Sequence, residues 1–474
     1  MKNILEYLEQ TAERFGDRIA VADNVTQLTF SELKQTSEKI GTVLGRSGRK
    51  NAPVAVFLDK TPACAAAFLG VAYSGNFYVV IDSLMPTERI NKIFETLQPY
   101  VLTDELHAEQ AKEFQFEGDT ILYEEAVRAE ADPELLQKIR NRSIDTDPLY
   151  ALFTSGSTGM PKGTVISHRA VMAYSEWVVS TFHFDEHTVF GSQTPFYFSM
   201  SVTDFYSMLR TGARLQIIPK VMFSFPMQLI EYMNEHKVNT IYWVPSALGL
   251  MANWKALDYG KLEYLKTILF AGEVMPVKHL NYWREKLPDA FYANLFGPTE
   301  TTDICTYYVV DREFAPEESL PIGRHCDNCD VFILKEDGTQ AAEGESGELC
   351  VRGSFLADGY YNNPEKTAEA FIQNPLNQAY PERIYRTGDL VKYNEYGELI
   401  YLSRKDFQIK HMGYRIELGE IEASAWTVDK IKNCACIYAK TEDKIIFIYE
   451  GKVKEEELIE AMNARLPDYM RPNR

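Results

Sequence analysis

A chain of 474 residues that is 45% hydrophobic and 25% charged holds roughly three domains' worth of core, and it is too apolar to be disordered or fibrous. Its 49 Lys and Arg face 68 Asp and Glu, and the formal net charge of −19 argues against nucleic acid and membrane partners. An anionic ligand stays open, because it needs only local cations. Seven cysteines make no disulfide framework, Met1–Arg18 contains no uninterrupted apolar run of the secretory kind, and the apolar patch Ala63–Tyr73 is too short to span a bilayer. Reduced thiols and a cytoplasmic location are expected.

From Asn3 to about Asp147, apolar residues recur at helical spacing (Ile4, Leu8 and Ala12; then Leu33, Ile40 and Leu44) between short apolar runs. Pro53–Phe57 and Phe77–Ile81 read as buried strands, and the alternation predicts α/β layers. The pattern repeats from Pro148 to about Asn294, with strands predicted at Leu149–Phe153, Arg214–Ile218, Thr240–Val244 and Thr267–Phe270. Beyond Pro298 the runs become short and β-rich (Val331–Leu334, Gly347–Val351, Leu399–Leu402) between turns such as Glu336–Asp337–Gly338. A smaller sheet or distorted barrel is predicted there. Residues 404–474 carry 13 basic and 13 acidic side chains, so the whole net charge lies in residues 1–403. This shift suggests a boundary near Ser403. The final segment reads as a small α+β domain with strands at Cys434–Ala439 and Ile445–Glu450 and a helix from Lys454 to about Arg465.

The clearest chemical signal is the run Thr154, Ser155, Gly156, Ser157, Thr158, Gly159, Met160, Pro161, Lys162, Gly163. Glycines, hydroxyls and one ammonium in so few positions make a flexible loop that offers N–H, O–H and cationic donors to a polyphosphate. It is not a Walker A loop, which needs Gly-Lys-[Ser/Thr] opening a helix; here Pro161 precedes Lys162 and a strand-like Gly163–Ser167 follows.

This loop resembles the signature of the adenylate-forming superfamily: acyl-CoA synthetases, firefly-type luciferases and the adenylation domains of nonribosomal peptide synthetases. Further motifs follow in the family order: Leu28–Leu33, Asn76–Asp82, Asn294–Thr302, Gly347–Gly353, Tyr385–Leu390 and Arg404–Glu422. The resemblance covers essentially the whole chain. Within the superfamily, Phe407–Glu422 looks most like stand-alone amino-acid adenylation enzymes, including D-alanine–carrier protein ligases.

The resemblance implies a large N-terminal domain (residues 1–403) of layered α/β sheets with a barrel-like part, and a small mobile α+β domain (404–474). It implies ATP and Mg²⁺ as cofactors and a two-step ligase reaction: a carboxylate attacks the α-phosphate, and a phosphopantetheine thiol of a carrier protein, or coenzyme A, then takes the acyl group. Pushing a carboxylate onto a triphosphate brings two anions together, so cations and N–H donors must face the developing charge. By family position Lys162 and the Thr154–Thr158 segment hold the leaving phosphates, Thr299 bonds the α-phosphate, and Glu300 holds the metal. Asn294, Phe296, Gly297, Asp389 and Arg404 are assigned to the adenosine side. Asp406 and Lys410 mark the hinge, and Gly413 the place where the thiol arm passes the backbone.

The acid pocket is implied to comprise Phe198, Ser199, Met200, Thr203, Ser246, Leu269, Ala271, Leu295, Asp303 and Ile304. Amino-acid-activating members carry an Asp where this chain has Ser199. A hydroxyl cannot compensate a buried ammonium as a carboxylate does, so an acid without an α-ammonium is expected. A D-alanine-like amino acid, or an acyl-CoA ligase, is the alternative, and a non-catalytic nucleotide-binding protein a third reading. Asp303 pairs an amine placed elsewhere on the substrate, bonds a hydroxyl, or caps a turn. The family's short tail with its catalytic Lys follows the equivalent of Leu466–Arg474; no residue of this chain takes that role, and a missing tail is expected rather than a weakened enzyme. Cys326–Cys329 with His325 has CxxC spacing but no second ligand pair, and reads as a strand edge rather than a zinc site.

Overall fold

Strands that are apolar along their whole length must be covered on both faces. Pro53–Phe57, Phe77–Val80 and Thr240–Trp243 are buried at every position and form the interior of two parallel-centred sheets. The computed structural model describes residues 1–156, 160–316, 318–405, 408–428, 431–439 and 442–473.

The first sheet has seven strands in the order Gly359–Tyr360, Lys162–Ser167, Pro148–Thr154, Phe77–Val80, Pro53–Phe57, Tyr100–Thr103, Thr120–Leu122. Its last five run parallel, and Lys162–Ser167 folds back antiparallel on Pro148–Thr154, with Thr154 opposite Lys162. The second has nine strands, with Arg214–Ile217, Val189–Ser192, Thr240–Trp243, Thr267–Phe270 and Phe291–Phe296 as its parallel core. Helix Pro62–Tyr73 is buried at every position except Ala63, and it packs hard against Phe30–Gly45. A Cβ on Gly41 would lie 2.5 Å from Tyr73 Cβ. The sequence sets the start of that second helix: Thr29 accepts from the Glu32 amide while the Glu32 carboxylate accepts from the Thr29 amide, a reciprocal cap.

A third sheet joins Cys329–Leu334, Gly347–Gly353, Arg383–Tyr393, Phe371–Gln373 and Leu399–Arg404. Residues from Ile416 to Met470 form a separate apolar core around helices Leu418–Ala425 and Glu455–Asn463 and the hairpin Ile431–Ala439/Lys444–Gly451. This smaller part rests on helix Thr87–Leu97. Arg89 pairs with Glu420 in a buried contact, and Arg465 Nε lies 2.9 Å from Glu88 Oε1. The strands at Pro53–Phe57 and Thr267–Phe270 have the bounds read from the sequence, and the others differ by a few residues at their ends. No described helix is long and apolar enough to cross a membrane.

Candidate active site

The hairpin Gln408–His411/Tyr414–Glu417 turns through Met412 and Gly413, whose φ values of 52° and 80° are the paired positive angles that a two-residue hairpin turn needs. Its tip enters a cleft of about 110 Å³ between the three sheets and the smaller part. Gly413 N donates to Glu273 Oε1 at 2.6 Å, and a Cβ on Gly413 would sit 2.7 Å from Val244 Cγ1. Only a residue without a side chain fits that approach at that φ. The next residue, Tyr414, stacks on Tyr469 at 3.7 Å and meets Phe198 edge-on at 4.7 Å.

At the phosphate-loop end, Glu300 sits in the short turn Thr299–Thr301 with no solvent exposure. Its Oε2 accepts from Arg415 at 2.8 Å and its Oε1 from the Tyr360 hydroxyl at 2.7 Å, while Lys162 Nζ stands 3.6 Å away. Burial alone would push this carboxyl up; Arg415 and Lys162 overcome it and hold Glu300 down to about 2. Burial, with Arg415 nearby, lowers Lys162 to about 8. Lys162 also lies 4.8 Å over the Tyr360 ring. Thr154 Oγ1 is buried without a partner and faces the cleft, and Ser155 Oγ donates to the Arg415 carbonyl at 2.7 Å. A Cβ on Gly156 would meet the Met160 carbonyl at 2.1 Å. Ser157, Thr158 and Asp406 lie outside the described residues.

On the other side, Lys410 Nζ is 4.7 Å from the centre of the Phe296 ring, and Asp389 Oδ1 accepts from Arg404 at 3.0 Å. Burial lowers Lys410 despite Asp389 nearby. Asn294 spends its amide on the Pro321 carbonyl at 2.8 Å, and a Cβ on Gly297 would meet the Asp303 carbonyl at 2.3 Å.

The acid-pocket positions divide. Phe198, Ser199, Met200, Ala271, Asp303 and Ile304 line the cleft together with Thr299, Gly297, Lys410 and Gly413. Thr203 is fully buried behind them, and Leu269 and Leu295 lie inside the nine-stranded sheet. Ser246 is exposed at the start of helix Pro245–Asn253, its amide held by Glu273 at 2.8 Å. Asp303 is 1% exposed, and its Oδ2 accepts from the hydroxyls of Tyr174 (2.9 Å), Thr203 (3.0 Å) and Tyr242 (3.2 Å). Burial pushes Asp303 up to about 6 against those hydroxyls and that of Ser199.

Motif reading missed Arg415, Tyr360, Glu273, Tyr174 and Tyr242. A tyrosine inside an otherwise apolar run was the available signal for the last two, because a buried phenol needs a hydrogen-bond partner. Asp204, whose Oδ1 has no partner, lies in the field of the half-buried Lys60, whose ammonium bonds the Ser192 carbonyl (3.1 Å) and hydroxyl (3.0 Å). Cys326 and Cys329 are buried with their sulfurs against backbone carbonyls of Ile304 and Cys305.

The profile of the family described as AMP-binding enzyme matches residues 8–361. Zwittermicin A synthase ZmaJ of Bacillus cereus is 30% identical over 99% of this chain and 90% of its own length. A D-alanine–D-alanyl carrier protein ligase of Bacillus anthracis is 31% identical over 99% of this chain and 94% of its own. Among solved structures, the Vibrio cholerae adenylation domain AlmE in complex with glycyl-adenosine-5'-phosphate superposes with a TM-score of 0.84 at 22% identity. That match covers 99% of this chain and 93% of AlmE, and it is a likeness of fold.

Proposed function

The chain belongs to the AMP-binding enzyme family and is an AMP-forming ligase, and from that premise we propose that it activates a carboxylic acid lacking an α-ammonium. The acid is joined to AMP using ATP and then passed to the phosphopantetheine thiol of a carrier protein. The carrier is the acceptor named for the Bacillus anthracis relative. The reading is supported above all by one convergence: the unpartnered Thr154 hydroxyl, Thr299 and Arg415, which bonds Glu300 beside Lys162, share a cleft with an acid pocket whose residue 199 is a neutral hydroxyl.

In the first step the substrate carboxylate bonds the α-phosphorus while the bond to pyrophosphate breaks. Lys162 and the Thr154–Gly156 segment meet the departing charge, and Thr299 meets the α-phosphate. Donors fixed in advance cost no reorganisation as charge develops. Glu300 supplies the hard oxygen donors that Mg²⁺ prefers, and the ion, when bound, would neutralise phosphate charge. Phe296 and Asp389 are assigned to adenine and ribose. In the second step the thiol attacks the acyl carbon and AMP leaves. The hairpin tip at Gly413, packed on Val244 and Glu273, walls the route by which the arm enters.

The smaller part, proposed as residues 404–474 with its hinge at Arg404, Asp406 and Lys410, changes place between the steps. With the hairpin docked, Arg415 is the countercharge of Glu300, the carboxylate that would hold the ion. We place the enzyme in the cytoplasm, in keeping with seven unpaired cysteines.

The test is ATP–pyrophosphate exchange across aryl, fatty, β-amino and α-amino acids, followed by transfer to a phosphopantetheinylated carrier protein or to coenzyme A. Exchange with an acid free of an α-ammonium and transfer to the carrier are expected. A clean preference for D- or L-alanine would refute the substrate reading.

A further inference from the structure

Resting on that reading of the pocket, we propose that Asp303 is the counter-charge for an ammonium carried beyond the α-carbon, so that the substrate class is a β- or longer-chain amino acid. Three observations carry it. Asp303 lines the same cleft as Ser199 and Met200, yet it is almost wholly buried. Its carboxylate is fixed from three elements: Tyr174 on helix His168–Phe182, Thr203 on helix Ser201–Thr211 and Tyr242 on strand Thr240–Trp243. All three hydroxyls converge on Oδ2, and the Ser199 hydroxyl in the cleft wall also bonds the carboxylate.

Among the described residues, the principal groups that stabilise this carboxylate are the neutral hydroxyls of Tyr174, Thr203, Tyr242 and Ser199. A buried carboxylate is ordinarily paired with a cation, and one held by hydroxyls alone is set to receive a cation from outside. The competing explanation, a turn cap, does not fit, because the side chain bonds hydroxyls 61 to 129 residues away rather than local amides. A hydroxylated acid would find acceptors here but would leave the charge unanswered.

The raised carboxyl adds a second readout. An amine must bind the ionised form, so its affinity falls as pH drops below about 6. The titratable groups facing Asp303 are Tyr150, Tyr174, Tyr242, Asp204 and Cys326. Burial raises all five; Asp204, raised to about 7 beside Lys60, titrates in the same region and acts on every acid in the pocket. Comparison with an uncharged isostere removes its effect.

The experiment is pyrophosphate exchange with 3-aminobutanoate, 4-aminobutanoate, 3-hydroxybutanoate, butanoate and D- and L-alanine, on the wild-type chain and on Asp303→Asn. An amino acid from the first pair is expected to be preferred. Asp303→Asn is expected to raise its KM about 30-fold or more relative to that of butanoate measured on the same variant. In the wild type alone, KM for the preferred amine should rise between pH 7 and pH 5 relative to butanoate, a test that does not depend on the variant folding. Preference for butanoate or the hydroxy acid, or an amine KM that ignores both the substitution and pH, overturns the assignment of Asp303 and leaves the ligase reading standing. Preference for alanine overturns the absence of an α-ammonium, and no exchange with any acid overturns the ligase reading itself.

Discussion

Arg415→Met tests the countercharge at Glu300. A fully buried carboxylate held at about 2 rather than its ordinary 4.5 is favoured by about 3 kcal/mol net of burial. Two cations and the Tyr360 hydroxyl supply that, and Arg415, at 2.8 Å against 3.6 Å for Lys162, is the largest contributor. Taken at about 2 kcal/mol, the scale of a hydrogen bond to a charged group, its contribution exists only while the hairpin occupies the cleft. Methionine keeps most of the side-chain volume and removes the charge, so docking of the hairpin should weaken about 30-fold. Adenylation and transfer can be measured separately, as pyrophosphate exchange and as single-turnover release of AMP from preformed adenylate onto the carrier thiol. Transfer is expected to fall about 30-fold while exchange stays within about 3-fold. Arg415→Lys, a point charge without the planar fork, should recover part of the loss. Equal losses in both steps, or no loss in transfer, would refute the reasoning. A melting temperature unchanged from wild type confirms that the substitution acts on docking rather than on the fold.

Lys162→Met should lower exchange by about 100-fold or more, the scale of removing one fixed donor from developing charge, with the fold retained in thermal melts. Gly413→Ala places a Cβ 2.7 Å from Val244 Cγ1 at a φ of 80°, and a left-handed residue with a side chain costs about 1–2 kcal/mol; transfer should fall about 10-fold with exchange preserved. Glu300 also predicts acid sensitivity. Its folded value lies below the unfolded one, so its contribution is complete above about pH 4.5 and lost as pH falls toward about 2. Melting curves at pH 6 and pH 3.5 should differ by more in the wild type than in Glu300→Gln, and an equal acid shift would contradict the placement of that carboxylate between two cations.

The architecture was legible wherever burial acts on both faces of a strand, because an unbroken apolar run leaves few alternatives; Pro53–Phe57 and Thr267–Phe270 stand where the sequence puts them. Lys162 and Thr154 were legible for another reason: their chemistry is local to one loop, and strand pairing sets them opposite each other. What escaped reading depends on distance along the chain. Arg415 and Glu300 are 115 residues apart, and nothing in either segment announces the other. Tyr174 and Tyr242 lie in the core, and only folding shows that their hydroxyls share one carboxylate. Ser246 sits beyond the cleft because the Glu273 carboxylate holds the amide end of its helix, a contact that no spacing encodes. Asp303 did stand out in the sequence as the charged exception among apolar positions, with its meaning left open.

The buried carboxylates around the cleft give that exception its weight. Glu300 is answered by Arg415 and Lys162 and Asp389 by Arg404, while Asp204 lies in the field of Lys60 beyond ion-pair distance. Asp303 alone of these four is held only by hydroxyls. Hydroxyls orient a carboxylate without neutralising it, and the cost of the buried charge stays high until a cation arrives. The replacement of the family's pocket Asp by Ser199 removes the negative charge from the wall, while Asp303 supplies one just behind it. A second carboxylate at position 199 would repel Asp303 and draw the ammonium back toward the α-carbon. On the proposed reading, Ser199 and Asp303 act together: the pocket keeps a single negative charge, set away from the reacting carboxylate.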